Sequence, residues 1–462
     1  MIQTSAIFLF LNYCLGKKVD MSMIVAKIDW RQLYNFASRQ ALLGFCFDGI
    51  ERLTKEFSEE LKQNSMGRDL LMTWMGAAQQ IRRQNMKVNA VAGKLYSKFR
   101  EDGLRCCILK GQGNALMYPN PYSRTPGDID VWVNARREDI AEYAKTHFEI
   151  GDDIRFHHLE TSFDGVPVEL HFFPGIMNNP IYNARLQKWF KRNADLQCSH
   201  IVGLPDGAGD IAIPTTAFNV IYQLTHLYHH FFDEGIGMRQ IIDYYYVVCD
   251  FYKVYQNSSK ITPSLFTIKE GSTSHPAPLT LRGEGGNRPT RCSEPLRSKD
   301  GGPSKVSPNC AGWDRRGVSG DTGSVSCSSG STITSVSSAS TTDSSASTAL
   351  VVVQRELKYL GLWKFAGTVM YVLHETLGLS EEKMIAPMDE KRGKLLLSEI
   401  LNGGNFGKHF TKYGHFTQQG MAKKYFLKIW RNMHFVRYYP AEALSEPIFR
   451  TWHFFWRMKN KK

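Results

Sequence analysis

Asp128 and Asp130 stand two residues apart in the stretch 128–133, where they alternate with Ile129, Val131 and Val133. A period of two belongs to a strand, so both carboxylates lie on one of its faces. Glu169 recurs in a similar setting: Val166, Val168, Leu170 and Phe172 share one face of 166–172, and Glu169 and His171 share the other. Three carboxylates gathered at one sheet surface would suit a pair of divalent ions. Mg2+ (or Mn2+) takes oxygen ligands and keeps positions open for phosphate oxygens, and two ions together stabilise the attacking and leaving oxygens of an in-line displacement. Lys110 and Arg124 lie close by in the chain and could offset triphosphate charge, while Gly111 and Gly113 would let backbone amides approach phosphate. A pair of acids alone is common on a solvated strand face. The combination with the upstream Lys-Gly and the later Glu-Leu-His strand points to phosphate chemistry.

These side chains need a sheet to hold them. The apolar run 104–109, bounded by Gly103 and Gly111, reads as a buried strand, followed by a helix over 112–118, the Pro-rich loop 119–127 and the acidic strand. A charged helix covers 136–147, and Asp164-Gly165 between 156–163 and 166–172 is the two-residue signature of a tight hairpin. Helical spacing over 30–62 and 68–100 predicts two long helices, the second stopping at Asp102-Gly103. Helical spacing returns over 214–232 and 238–251 and again after 351. The expected fold class is α+β, a small mixed sheet flanked by N-terminal and C-terminal helical regions. The divisions are a helical region over 1–102, the sheet-bearing core over 103–200, helices packing on it over 201–255, an insertion over 256–350 and a C-terminal helical region with a basic tail over 351–462. More than half of residues 271–349 are Ser, Gly, Thr or Pro, too little apolar surface to offset ordering entropy, so the insertion is expected to be disordered.

The strings Leu109-Lys110-Gly111, Tyr118-Pro119, Arg124, Asp128-Ile129-Asp130 and Val168-Glu169-Leu170-His171 together resemble the uncharacterised nucleotidyltransferase family within the polymerase-beta-like superfamily. The resemblance extends to Gly237-Met238-Arg239-Gln240 with Asp243, and to the turn Gly403-Gly404-Asn405-Phe406-Gly407. It implies a polymerase-beta-like sheet on which Asp128 and Asp130 bind both metal ions. Glu169 is then the third carboxylate, a ligand that also helps to deprotonate the acceptor. The triphosphate falls to Lys110, Gly111 and Arg124, and His171 and Arg239 are further substrate-binding positions. The wider superfamily usually places Gly-Ser before the Asp pair at a shorter spacing, whereas Lys110-Gly111-Gln112 and a longer loop stand here. The implied activity is Mg2+-dependent transfer of a nucleoside monophosphate from an NTP to a hydroxyl of a sugar, a sugar phosphate or a protein side chain, with release of pyrophosphate. The alternative is a nucleotide-binding or scaffold protein of the same fold without turnover.

Other patterns carry less. His226, His229 and His230 fall at i, i+3, i+4 with Asp233 and Glu234 after them, which suits a metal face, although lining a cleft or capping the helix is the favoured reading because no hydrolase signature accompanies them. Arg239 and Asp243 stand at i, i+4, the spacing of a helical ion pair. Residues 403–407 lack the Lys-Ser/Thr of a phosphate loop and read as a turn.

The formal charge of +13 is concentrated at the end of the chain: residues 408–462 hold twelve Lys or Arg against Glu442 and Glu446, a net +10. One basic helix end is not a nucleic-acid groove, so nucleic acid is not an expected partner. The tail containing Trp452, Phe454, Phe455 and Trp456 is read as packing its aromatics on the core, in preference to a peripheral membrane contact. The nine cysteines show no CxxC or zinc spacing and suit reduced thiols. The apolar run 7–15 is far shorter than the roughly 20 residues of a membrane span. It reads as a short buried helix in a cytoplasmic protein whose translation starts at Met1, Met21 or Met23.

Overall fold

The computed structural model describes residues 2–256, 342–409 and 421–460. Its N-terminal part is a stack of helices: α1 (Ile2–Cys14), α2 (Ser22–Val25), α3 (Trp30–Arg39), α4 (Leu43–Glu56), α5 (Ser58–Gln63) and the 34-residue α6 (Arg68–Glu101). The apolar run of α1 is a helix buried on one side, with Phe10 and Leu11 fully enclosed and Leu9 exposed. The single helix expected over 30–62 is instead broken into three. At the first break Ala41 takes a positive φ of 56°, and Gln40 leaves the helical pattern to bridge distant segments, accepting from Met238 N (2.9 Å) and donating to Ile400 O (3.0 Å). Those contacts satisfy buried backbone groups that a continued helix would leave open.

The sheet follows. β1 (Cys106–Leu109), α7 (Gly111–Ala115), β2 (Ile129–Val133), α8 (Arg137–His147), β3 (Glu149–Ile154), β4 (His158–Phe163) and β5 (Val166–His171) build a five-stranded sheet of order β1-β2-β5-β4-β3. β2 and β5 are parallel and the remaining pairs antiparallel, so the sheet is mixed. β3 was not foreseen. Period-two alternation divides the side chains cleanly. Ile108, Ile129, Val131, Val168 and Leu170 pack against Val91, Leu95 and Phe99 of α6 and against Ile140 and Ala144 of α8. The opposite face meets a second core through Cys107, Leu109 and Trp132.

That second core is helical. After α9 (Pro180–Ser199), a separate two-stranded sheet of β6 (Ile201–Gly203) and β7 (Asp210–Ala212) leads into α10 (Thr216–Asp233) and α11 (Met238–Gln256). Trp132 stacks on Phe218 of α10 at 6.0 Å, which anchors α10 across the sheet face. The chain resumes with α12 (Thr342–Tyr359), α13 (Trp363–Leu377), α14 (Glu390–Gly403), α15 (Met421–Met433) and α16 (Pro440–Asn460). The insertion expected to be disordered falls outside the described residues, except at its two ends, where Gln256 closes α11, 342–350 are already helical and Ala349 is buried in line with Val353 and Leu357.

The tail departs from its expectation: Phe156 meets Trp452 and Trp456 edge-on at 5.1 and 5.6 Å, but Trp452, Phe454 and Phe455 are exposed and none of the four tail aromatics joins a core cluster. Among the described residues no helix is long and apolar enough to cross a membrane. The fold is α+β, with a small mixed sheet flanked by helices.

Candidate active site

Register brings the chemistry together. Asp164 and Gly165 both take positive φ, 48° and 66°, as the tightest hairpin turn requires, and Phe163 therefore pairs with Val166. Counting outward, Glu160 lies opposite Glu169 and His158 opposite His171. On the other side of β5, the parallel pairing sets Asp130 beside Glu169. Asp130, Glu169, His171 and His158 thus share the sheet face turned away from α6, and Asp128 enters just before β2.

Their polar atoms are within contact distance. Lys110 Nζ is 2.6 Å from Asp130 Oδ1, and His171 Nε2 is 2.9 Å from the same oxygen and 3.2 Å from Glu169 Oε2. His158 Nδ1 lies 3.3 Å from that Glu169 oxygen. Lys110 occupies a positive φ of 53° at the junction of β1 and α7, a conformation that a non-glycine residue adopts at a cost and that is concentrated at functional sites.

The electrostatics are those of crowded charge in a dry place. Burial, added to repulsion from Asp130 and Glu169, pushes the Asp128 carboxyl up to about 7. Burial would raise Asp130 as well, but Lys110 and His171 hold it below its ordinary value. Glu169 is held down in the same way by its His171 hydrogen bond and by His158. Burial disfavours charge on His171, yet its contacts with Asp130 and Glu169 push it up to about 9. His158, with less compensation for its burial, falls to about 3.

These groups open onto a cavity of about 330 Å³, within the size range of small-molecule sites. Its lining includes eight of the candidates named from the sequence, Asp128, Asp130, Glu169, Lys110, Gly111, Arg124, His171 and Arg239, but not Gly113. Their surroundings differ from the expected ones in three respects. Arg124 is not a free cation: its Nε and Nη2 grip both oxygens of Asp243 at 2.8 and 2.9 Å, and Tyr118 donates to the same carboxylate at 2.7 Å. Asp243 is therefore the partner of Arg124 rather than of Arg239. Arg239 is 8 % exposed, donates from Nη1 to Thr125 O at 3.0 Å and leaves its buried Nε without a hydrogen-bond partner. Gly113 does not face the cavity; a Cβ there would meet Ile213 Cγ2 at 3.1 Å, so its small size serves packing.

Sequence reasoning underweighted the histidines. Among the described residues His157, His158, His171, His226, His229 and His230 all line the cavity. His226 Nε2 is 3.5 Å from Lys110 Nζ, and α10 aims its i, i+3, i+4 triad at the sheet, as the cleft-lining reading anticipated. His158 was passed over altogether, although the hairpin turn and strict alternation already place it opposite His171. Phe406 and Lys408, from the turn after α14, close another side, with Phe406 5.5 Å from the Arg239 guanidinium.

The donor set fits a divalent metal ion. Asp128, Asp130 and Glu169 offer hard oxygen ligands and all three line the same cavity. No curated protein and no solved structure matches the chain. Residues 26–255, which carry the sheet, the acids, Lys110 and Arg239 but stop short of the 403–407 turn, match a family described as an uncharacterised nucleotidyltransferase, and the chain belongs to that family.

Proposed function

We propose that the protein transfers a nucleoside monophosphate from an NTP to an acceptor hydroxyl, releasing pyrophosphate, with Mg2+ or Mn2+ held by Asp128, Asp130 and Glu169. The observation that carries this reading is that those three carboxylates line one cavity in a chain of a nucleotidyltransferase family. A divalent ion there would neutralise triphosphate charge and polarise the phosphorus under attack.

The side chains account for the remainder. Glu169 is held ionised by its His171 hydrogen bond, so it can accept a hydrogen bond from the acceptor hydroxyl and orient it. Lys110, 2.6 Å from Asp130 and drawn toward the cavity by the acids, balances charge at the nucleotide phosphates. Among the described residues Arg239 has no carboxylate in salt-bridge contact, and we assign to it the phosphate grip expected of Arg124. Arg124, clamped by Asp243, holds the loop ahead of β2 in place.

The acceptor is a hydroxyl of a sugar, a sugar phosphate or a protein side chain. A second reading, nucleotide binding without turnover, draws on one observation: Asp130 is already engaged by both Lys110 and His171. One experiment separates the two. The protein is incubated with Mg2+ and each labelled NTP, with and without cell extract, beside the Asp128→Ala, Asp130→Ala double variant. Pyrophosphate release that is absent from the variant supports transfer, and the labelled product names the acceptor. Nucleotide binding with no release in any extract would replace transfer by the second reading.

A further inference from the structure

We propose that the outward faces of α15 and α16 form a docking surface for an anionic lipid bilayer. The inference goes beyond the transfer reaction proposed above and does not rest on it.

The two helices are inverted. A surface helix ordinarily turns its apolar stripe to the core and its charge to water. In α16, Leu444, Ile448, Phe455 and Met458 recur at i, i+4, i+11 and i+14, which places them in one stripe, and all four are exposed. Ile448 is 73 % exposed and Phe455 61 %, whereas Glu442 and Glu446, in the opposite stripe, are 1 % and 2 % exposed. Their carboxylates are used inside. Glu442 accepts from Asn178 N and Asn179 N, and Glu446 pairs with Arg450, which also reaches Asp233 at 2.7 Å. α15, which packs against α16, repeats the inversion. There Arg431 is buried and donates to Phe231 O at 2.7 Å, whereas Trp430 and Met433, three residues apart, are exposed.

Single exposed apolar side chains are ordinary, but a continuous stripe from 444 to 458 marks an interaction surface. Charge selects its occupant. Residues 408–462 carry twelve Lys or Arg, and their only two acids are Glu442 and Glu446, so no acidic side chain of the segment reaches the surface. Arg437 and Lys459 are exposed on the same two-helix unit. A second copy of the chain would set this positive surface against itself. An anionic bilayer instead supplies charge opposite to these cations and an apolar interior for the stripe, and an indole such as that of Trp430 suits the boundary between the two.

Flotation of the full chain with lipid vesicles tests the surface. Vesicles of equal parts phosphatidylserine and phosphatidylcholine should bind the native chain about tenfold more strongly than phosphatidylcholine alone, and the difference should shrink as salt screens the charge. Ile448→Ser, Phe455→Ser leaves every charge in place and alters only exposed positions, so its melting temperature should match that of the native chain. Its binding to the mixed vesicles should fall about tenfold or more, because two large apolar side chains no longer enter the bilayer. Failure of the native chain to float with the mixed vesicles at low salt would overturn the inference, whatever the variant does. Binding that the variant keeps in full would also overturn it, leaving the basic terminus to act by charge alone. A concentration-dependent dimer abolished by the variant, with no vesicle binding, would assign the face to a second copy of the chain and sink the bilayer.

Discussion

Two arginines bordering one cavity meet opposite electrostatic fates. Arg124 and Asp243 are each almost fully enclosed, and their mutual attraction outweighs the burial that opposes charge on both. Replacing one partner strands the other without compensation. Arg124→Gln is therefore expected to cost about 3–5 kcal/mol, read as a fall in the denaturation midpoint, and Asp243→Asn a comparable amount. Arg239 carries its charge in the same depth without such a partner among the described residues, and burial together with repulsion from Arg124 lowers its affinity for the proton. Arg239→Gln should leave the midpoint unchanged or higher while raising the KM for NTP about tenfold or more, since a charge-assisted phosphate contact contributes on the order of 1.5–3 kcal/mol. A large loss of stability in Arg239→Gln, with KM unchanged, would reverse the roles assigned here to the two residues.

At the scale of elements, close approach sets the tolerances. α6 crosses the β6–β7 turn at Gly93, where a Cβ would come within 2.0 Å of Ala208 O, a backbone atom that can move only with its turn. Gly93→Ala should cost about 1–3 kcal/mol through that overpacking. The β4–β5 hairpin poses a different constraint, because a Cβ on Gly165 would make only an ordinary contact with Lys87 Nζ at 3.5 Å, but the residue's φ is 66°. Gly165→Ala is expected to cost about 1–2 kcal/mol by conformation alone. Register amplifies any error in this turn: a slip of one residue would send Glu169 and His171 into the apolar α6 face and bring Leu170 to the cavity.

On the scale of the whole molecule, the C-terminal helix returns to the loops that flank the site. Glu442 of α16 accepts from Asn178 N at 2.6 Å and from Asn179 N at 3.3 Å, 264 and 263 residues away, and His453 accepts from Phe156 N at 3.3 Å, next to the cavity-lining His157. Burial pushes the Glu442 carboxyl up to about 7 from an ordinary 4.5. A folded-state value above the unfolded one means that the native chain keeps a proton which the unfolded chain has released. This contribution is complete below pH 4.5 and is lost as pH rises through about 7, a change on the order of 3 kcal/mol. Glu442→Gln should accordingly flatten the decline of melting temperature between pH 4.5 and 7; an unaltered slope would place the effect elsewhere.

Short-range rules in the chain are sufficient for much of this site. Alternation over 128–133 and 166–172 puts Asp130, Glu169 and His171 on faces of one kind, and the Asp164-Gly165 turn specifies which residues pair across the hairpin, His158 with His171 included. Each rests on contacts between neighbours in sequence or across a two-residue turn. What lies beyond local rules is the choice among distant partners. Arg124 could have met the triphosphate or any of several acids; the packing of α11 against the loop before β2 delivers Asp243, 119 residues on. The histidines of α10 face the carboxylates because Trp132 and Phe218 stack across the sheet, and the helix expected over 30–62 yields at Gln40 to Ile400, 360 residues away. Spacing shows which face a side chain occupies, whereas its counterion and its degree of burial depend on elements that come together only in the folded chain.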